Sequence, residues 1–325
     1  MQEQEQKSAS PGVWSTLAAG FDLTAKHPWI ILLPMLVDVF IWLGPRLRFQ
    51  RIVEQLVAEL PSEVEVMEFT QQLIEVGPHT NLFSVLSVPL IGVPALLAGL
   101  APEKTPISAR VIDINSGSNW LALIFVLSIA GLFLSALYYV TISVVIGQRE
   151  ETGENEKVDR WFKKIGGTWL RFLGLALLFL LVAIIIYIPI SIIGAVFFLL
   201  SPLLGTMVVL VAPFIIFWIA IYLSFTPPGI TLNNRSLFQA VKESVQLVQK
   251  NLPVVLLMIL AILLLGAIID WLLIAAENGT WFTMFNILIH AFVHTGFVTA
   301  FFILYQDRSA VLFASQESLI NDGSL

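Results

Sequence analysis

Six runs of mostly apolar residues, at 28–43, 119–146, 169–199, 204–225, 252–274 and 281–305, constrain this chain more than any other feature. About 20 such residues, wound as a helix, cross the hydrocarbon core of a bilayer. A chain with only 12% charged residues cannot cover a core of that size with polar surface, since soluble domains carry about 25%. Lipid in place of water removes the difficulty. The 23 Phe and 9 Trp fit the same solvent, because aromatic side chains anchor helices at bilayer interfaces. The expected fold is therefore an all-α polytopic bundle of about six spans.

The first run is short. The third is long, and Pro189 is expected to kink or divide it. A seventh apolar run, at 85–100, contains Pro89, Gly92, Pro94 and Gly99. It is read as an interfacial or re-entrant segment packed on the bundle, with a seventh span as the alternative.

Lys and Arg gather in alternate loops. Arg149, Lys157, Arg160, Lys163 and Lys164 lie between the second and third spans, and Arg235, Lys242 and Lys250 between the fourth and fifth. Positive loops face the cytoplasm. The expectation is a bacterial cytoplasmic-membrane protein with both termini inside and 46–118 outside. Arg46, Arg48 and Arg51 count against that orientation. The polar start, MQEQEQKSASPG, has no basic-then-apolar pattern of a cleaved signal peptide.

Three amphipathic segments lead into spans, and an internal repeat is read from them. Segment 13–26 places Trp14, Leu17 and Phe21 on one face. Segment 158–165 places Val158, Trp161, Phe162 and Ile165 at helical spacing, and 235–250 does the same with Leu237, Phe238, Val241, Val245 and Val248. Such patterns fit helices lying in the interface. One amphipathic helix plus two spans, three times over, keeps the same orientation each time. The domain map that follows has a cytoplasmic tail and amphipathic helix at 1–27, a first span at 28–45 and an extracytoplasmic helical insertion at 46–118. A five-span bundle at 119–305 and a cytoplasmic tail at 306–325 complete it. The insertion has an acidic side (Glu54, Glu59, Glu63, Glu65, Glu68, Glu75) and is read as a stabilising cap or as a docking surface for a protein partner.

The stretch FDLTAKHPWIILLPMLVDVFIWLGP, Phe21 to Pro45, and the segment NLFSVLSVPLIGVP, Asn81 to Pro94, resemble the opening of a group of uncharacterised bacterial multi-pass membrane proteins. The amphipathic 236–251 followed by an apolar span is similar to the membrane domain appended to some glycerophosphodiester phosphodiesterases. The resemblance covers about a third of the chain and implies a fold type. The phosphodiesterase catalytic domain is absent, so no activity and no site residue comes with it.

Ionisable groups inside a bilayer are costly and need a reason. Asp38 in the first span, Asp270 in the fifth, and Asn286, His290 and His294 in the sixth are the candidates. The last three are spaced i, i+4, i+8 on one helix face. Counting back from the turn at 277–280 sets Asp270 level with Asn286, Gly266 opposite His290, and Asp38 near His294, provided the first and sixth spans touch. Three readings remain open for this intramembrane polar seam. It is interhelical hydrogen bonding that fixes packing, a proton path, or a transition-metal site built on His290 and His294.

Familiar catalytic patterns are missing. His290-Ala-Phe-Val-His294 lacks the Glu of H-E-x-x-H, and the chain has neither a phosphate-binding G-x-x-x-x-G-K-[ST] loop nor a G-x-S-x-G elbow. Gly131 and Ser135 form a small-xxx-small pattern read as helix packing. With no cysteine there are no disulfides or thiolate metal sites, and no basic block suggests nucleic acid. Lys163, Lys164, Arg171 and Lys250 can draw anionic lipid headgroups, each contributing about 1 kcal/mol. The function expected from sequence is a non-enzymatic accessory, scaffold or lipid-organising membrane component. The alternative is a transporter coupled to protons or a metal ion through the Asp/His seam. A lipid-acting membrane enzyme stands last.

Overall fold

A computed structural model describes residues 12–59, 80–88, 91–98, 105–147, 154–275 and 280–321. The chain is an all-α, polytopic helical bundle with almost no strand. Five helical stretches are long and apolar enough to cross a membrane: Gly117–Ile146, Trp161–Phe198, Pro202–Leu232, Leu237–Ile274 and Thr283–Leu312. A sixth candidate is a broken one, Val13–Lys26 followed by Pro28–Leu43, bent by 95°. Large apolar side chains stand exposed along these helices, among them Phe125, Leu177, Ile185, Ile192, Phe214, Leu264 and Ile268. Water would penalise that surface and hydrocarbon does not, so this is a multi-pass membrane protein.

The chain divides into two compact units. One comprises Met1–Thr16, Ile142–Leu260 and Phe301–Leu325, and the other Leu17–Thr141 and Ala261–Ala300. In the second, helix α1 (Val13–Lys26, whose first turn belongs to the other unit) meets helix α10 (Thr283–Asn321) through glycines. A Cβ on Gly20 would lie 2.5 Å from Ala300, and one on Gly296 would lie 2.6 Å from the Phe21 ring. The buried face of α1 runs through Val13, Thr16, Leu17, Gly20 and Thr24, while Trp14 points outward. The apolar stripe expected from sequence included Trp14 and missed the small residues that permit close approach.

A 3-10 turn at Pro28–Ile31 leads into α2 (Leu32–Leu43), which stops at Gly44 and Pro45. The Gly44 N–H returns to the Phe40 carbonyl at 2.9 Å, an ordinary way to close a helix before proline. Trp42 is fully buried and meets Trp281 edge to face at 5.8 Å. At 12 residues α2 is shorter than a bilayer crossing, about 18 Å at 1.5 Å per residue.

The insertion at 46–118 is not simply helical. β1 (Arg46–Arg48) pairs in parallel with β2 (Val111–Asp113), in the register Arg46 with Val111 and Arg48 with Asp113. Three residues without alternation are too short to read as strands from sequence. Between them lie α3 (Gln50–Glu59) and a 3-10 helix at Leu82–Leu86. Of the acidic side expected for this insertion, Glu63, Glu65, Glu68 and Glu75 lie outside the described residues. Asn81 ties the region together. Its Oδ1 accepts from the Leu47 and Phe83 N–H groups, both at 3.2 Å, and its Nδ2 donates to the Ile41 carbonyl at 3.4 Å. Leu47, Leu82, Ile114 and Leu127 pack beneath it. In the run 85–100 the described residues beyond Leu86 form turns, bends and irregular backbone and no helix.

Helix α4 (Gly117–Ile146) begins where the Ser116 hydroxyl accepts the Asn119 N–H at 3.3 Å, an N-cap. Its Gly131 sits against the 3-10 helix, where a Cβ would lie 2.7 Å from the Leu86 carbonyl oxygen. The small-residue pattern of 131–135 therefore serves a short connecting element and not a second long helix.

In the other unit α5 (Glu154–Phe198) is one continuous helix of 45 residues. The amphipathic segment 158–165 forms its opening turns, with no break before the span. Pro189 lies inside it, and of the two outcomes expected, a kink or a division, the division does not occur. Helices α6 (Pro202–Val209), α7 (Val211–Leu223) and α8 (Thr226–Leu232) return along it. Each of α6 and α8 starts with proline in the first turn, where no N–H is needed. Helix α9 (Leu237–Ala275) starts with half a capping box, Gln239 Oε1 accepting the Ser236 N–H at 3.2 Å. It kinks at Asn251, just before Pro253, where the Asn251 side chain donates to the Leu247 carbonyl at 3.0 Å.

Candidate functional site

The site lies within the second unit and begins with Asp38. On α2, the spacing of Pro34, Val37, Asp38, Ile41 and Trp42 defines the buried face, and Asp38 is 0% exposed. A carboxylate without water must be hydrogen-bonded. Here its partners are main-chain groups: Leu96 N–H donates to Oδ2 and Leu97 N–H to Oδ1, each at 2.9 Å. These donors come from the irregular segment that follows Pro94, where no helix consumes them. Backbone donors leave no trace in side-chain patterning, so Leu96 and Leu97 had no sequence signal beyond the prolines and glycines around them.

Helix α10 brings His290 and His294 to the same place, one turn apart. Their rings lie 4.1 Å apart between centroids, tilted by 30°. His290 is 3% exposed, with Nδ1 3.6 Å from Asp38 Oδ2 and Nε2 3.6 Å from Asp270 Oδ1. His294 Nε2 lies 3.0 Å from the same Asp270 oxygen. The order in space is thus Asp38, His290, Asp270, His294, with carboxylates and imidazoles alternating. The closed end is Asp38, while the Asp270 side chain is 33% exposed and that of His294 22%. His290 Nδ1 is buried and has no hydrogen-bond partner among the described residues. Next to the cluster, the Tyr138 hydroxyl donates to Thr295 Oγ1 at 3.0 Å and fixes α4 against α10.

Four of the five residues singled out in the sequence are brought together, in a different register. Gly266 faces His294 and not His290, its added Cβ falling 3.4 Å from that ring. Asp270 faces His290 and His294, and Asp38 faces His290. Residues 276–279, most of the turn used in counting, lie outside the described residues. Asn286, the fifth, is buried but donates to the Leu273 carbonyl at 3.0 Å. It bonds a main-chain oxygen near Ala275, where the described part of α9 stops. That is a packing role.

The charge count matters. With neutral imidazoles the cluster carries two negative charges, and the described partners of Asp38 and Asp270 include no Lys or Arg. Burial on this scale calls for compensating positive charge. Asp270, His290 and His294 each offer one ligand atom, all within 4.8 Å of one another.

The basic residues expected at headgroups fall in the other unit. Lys163 and Lys250 are exposed. Lys164 Nζ donates to Ser143 Oγ at 3.1 Å, and Arg171 Nη1 donates to Asn234 Oδ1 at 2.6 Å, so both are engaged within the fold. Comparison with protein-family models, curated proteins and solved structures finds no match to this chain, and nothing links it to the membrane domain of glycerophosphodiester phosphodiesterases.

Proposed function

We propose that this chain is a cation-coupled transporter of the bacterial cytoplasmic membrane, working through the Asp38–His290–Asp270–His294 cluster. One observation carries the reading: a fully buried carboxylate and a nearly buried imidazole face each other at 3.6 Å with the imidazole nitrogen unpartnered. An orphaned atom there costs about 1–3 kcal/mol, which a cation or proton held in the cluster would offset. An ionisable group held inside a membrane is a candidate functional site. The graded exposure from Asp38 to His294 gives the cluster one open side. The Lys/Arg bias of the segments at 147–168 and 233–251, which include the opening turns of α5 and α9, supports cytoplasmic termini.

Purified protein reconstituted in liposomes should pass protons or a divalent cation at rates above empty vesicles. Asp38→Asn and His294→Ala should abolish that flux. Equal flux for all three proteins would end the assignment.

A second reading, a lipid-organising or accessory component, draws on different residues. Trp14, Phe162 and Phe238, one from each proposed repeat, are 66%, 63% and 77% exposed. The 95° bend after α1 suits a helix resting in the interface. Removing the three aromatics together should lower co-purifying anionic lipid without changing flux, as lipid mass spectrometry would record.

A further inference from the structure

We propose that Asp270, His290 and His294 bind one divalent transition-metal ion, with Asp38 as the positioning residue behind His290. This rests on the reading above that the cluster takes a cation, and it names the cation's class. Asp270 Oδ1 is 3.0 Å from His294 Nε2 and 3.6 Å from His290 Nε2. Ligands held at about 2.0–2.1 Å in a tetrahedral shell stand about 3.3 Å apart, between those two separations. Two imidazoles and one carboxylate suit zinc, iron or nickel better than magnesium or calcium, which prefer all-oxygen shells. His residues at i, i+4 present both rings from one helix face, as His290 and His294 do.

The unpartnered atom points the same way. If His290 ligates through Nε2, its proton sits on Nδ1, and Nδ1 faces Asp38 Oδ2. A carboxylate behind a metal-bound histidine fixes its tautomer and strengthens it as a ligand. Asp38 is itself held by the Leu96 and Leu97 N–H groups, so the support is preorganised by main chain. A simple hydrogen-bonded pair of Asp270 and His294 would leave His290 unexplained, because its Nε2 converges on the oxygen that His294 already occupies. One divalent ion also balances the two carboxylates. The exposed flank of Asp270 and His294 leaves a fourth position for water or a substrate oxygen.

The test uses full-length protein in detergent, stripped with chelator and titrated with Co2+. Wild type should bind one equivalent, with visible ligand-field absorption that added Zn2+ removes. Asp270→Asn, His294→Ala and His294→Gln should lose that spectrum. Asp38→Asn should keep it with affinity weakened about 10- to 100-fold. Asn286→Ala, on the same helix and outside the donor set, should match wild type. No bound equivalent in wild type, or an unchanged spectrum in both the Asp270→Asn and His294→Gln proteins, overturns the metal site. Flux in liposomes separates the two readings. A His294-dependent proton flux without metal binding sinks the metal assignment alone. Tight metal binding with flux indifferent to every variant sinks transport and leaves the metal site standing.

Discussion

Removing Asp38 would be felt in the backbone of the segment it holds. Its two oxygens take the Leu96 and Leu97 N–H groups, both away from solvent. Hydrogen bonds to a charged acceptor contribute about 1.5–3 kcal/mol each. Asp38→Ala should therefore destabilise the protein by about 3 kcal/mol, and Asp38→Asn, which keeps one acceptor, by about half of that. Thermal unfolding in detergent would measure both, and equal melting of Asp38→Ala and wild type would contradict the clamp. Asn286→Ala should cost only about 1 kcal/mol, the usual worth of an interhelical hydrogen bond in a membrane protein. The candidate residues themselves were legible because a charge or imidazole in an apolar run stands out. Their pairing was not, because a shift of one helical turn exchanges His290 for His294 opposite a given residue of α9.

Helix α1 docks on α10 through Gly20 and Gly296 with almost no room for a side chain. Gly20→Val would force the two helices apart, at a cost of about 1–3 kcal/mol as for other overpacked contacts. Its signature would be faster protease cleavage between 12 and 28 in the folded protein, with the rest of the chain protected. The Gln239 cap is a milder case. Gln239→Ala removes the acceptor of the Ser236 N–H and should cost about 1 kcal/mol, seen as a lower unfolding midpoint. Helices that begin with Ser-Gly, Ser-Pro or Ser-Leu-Phe-Gln and close on Gly-Pro follow local rules, so sequence located them well. The β1–β2 pairing obeys no local rule: the two strands lie far apart in sequence.

Across the whole molecule the solvent decides behaviour. With apolar side chains exposed on all the long helices, the protein should leave membranes only in detergent, and aggregate when it is removed. The absence of cysteine makes sidedness easy to check. A single Cys at Ser118 should react with an impermeant maleimide on intact spheroplasts, while one at Ser236 should react only after permeabilisation. The opposite pattern would invert the orientation inferred from Lys and Arg.

Length and polarity of the apolar runs were enough, alone, to establish helical class, membrane residence and the set of costly polar residues. Each of those follows from the free energy of a group in hydrocarbon, a property of the residue itself. Tertiary structure decided which donor meets which acceptor. Only the folded chain brings the main chain at Leu96 and Leu97 to Asp38, sets His290 between two carboxylates, and turns Asn286 away to a helix end. Those outcomes depend on helix register and on irregular backbone, and neither is encoded by any residue's own preference for water or lipid.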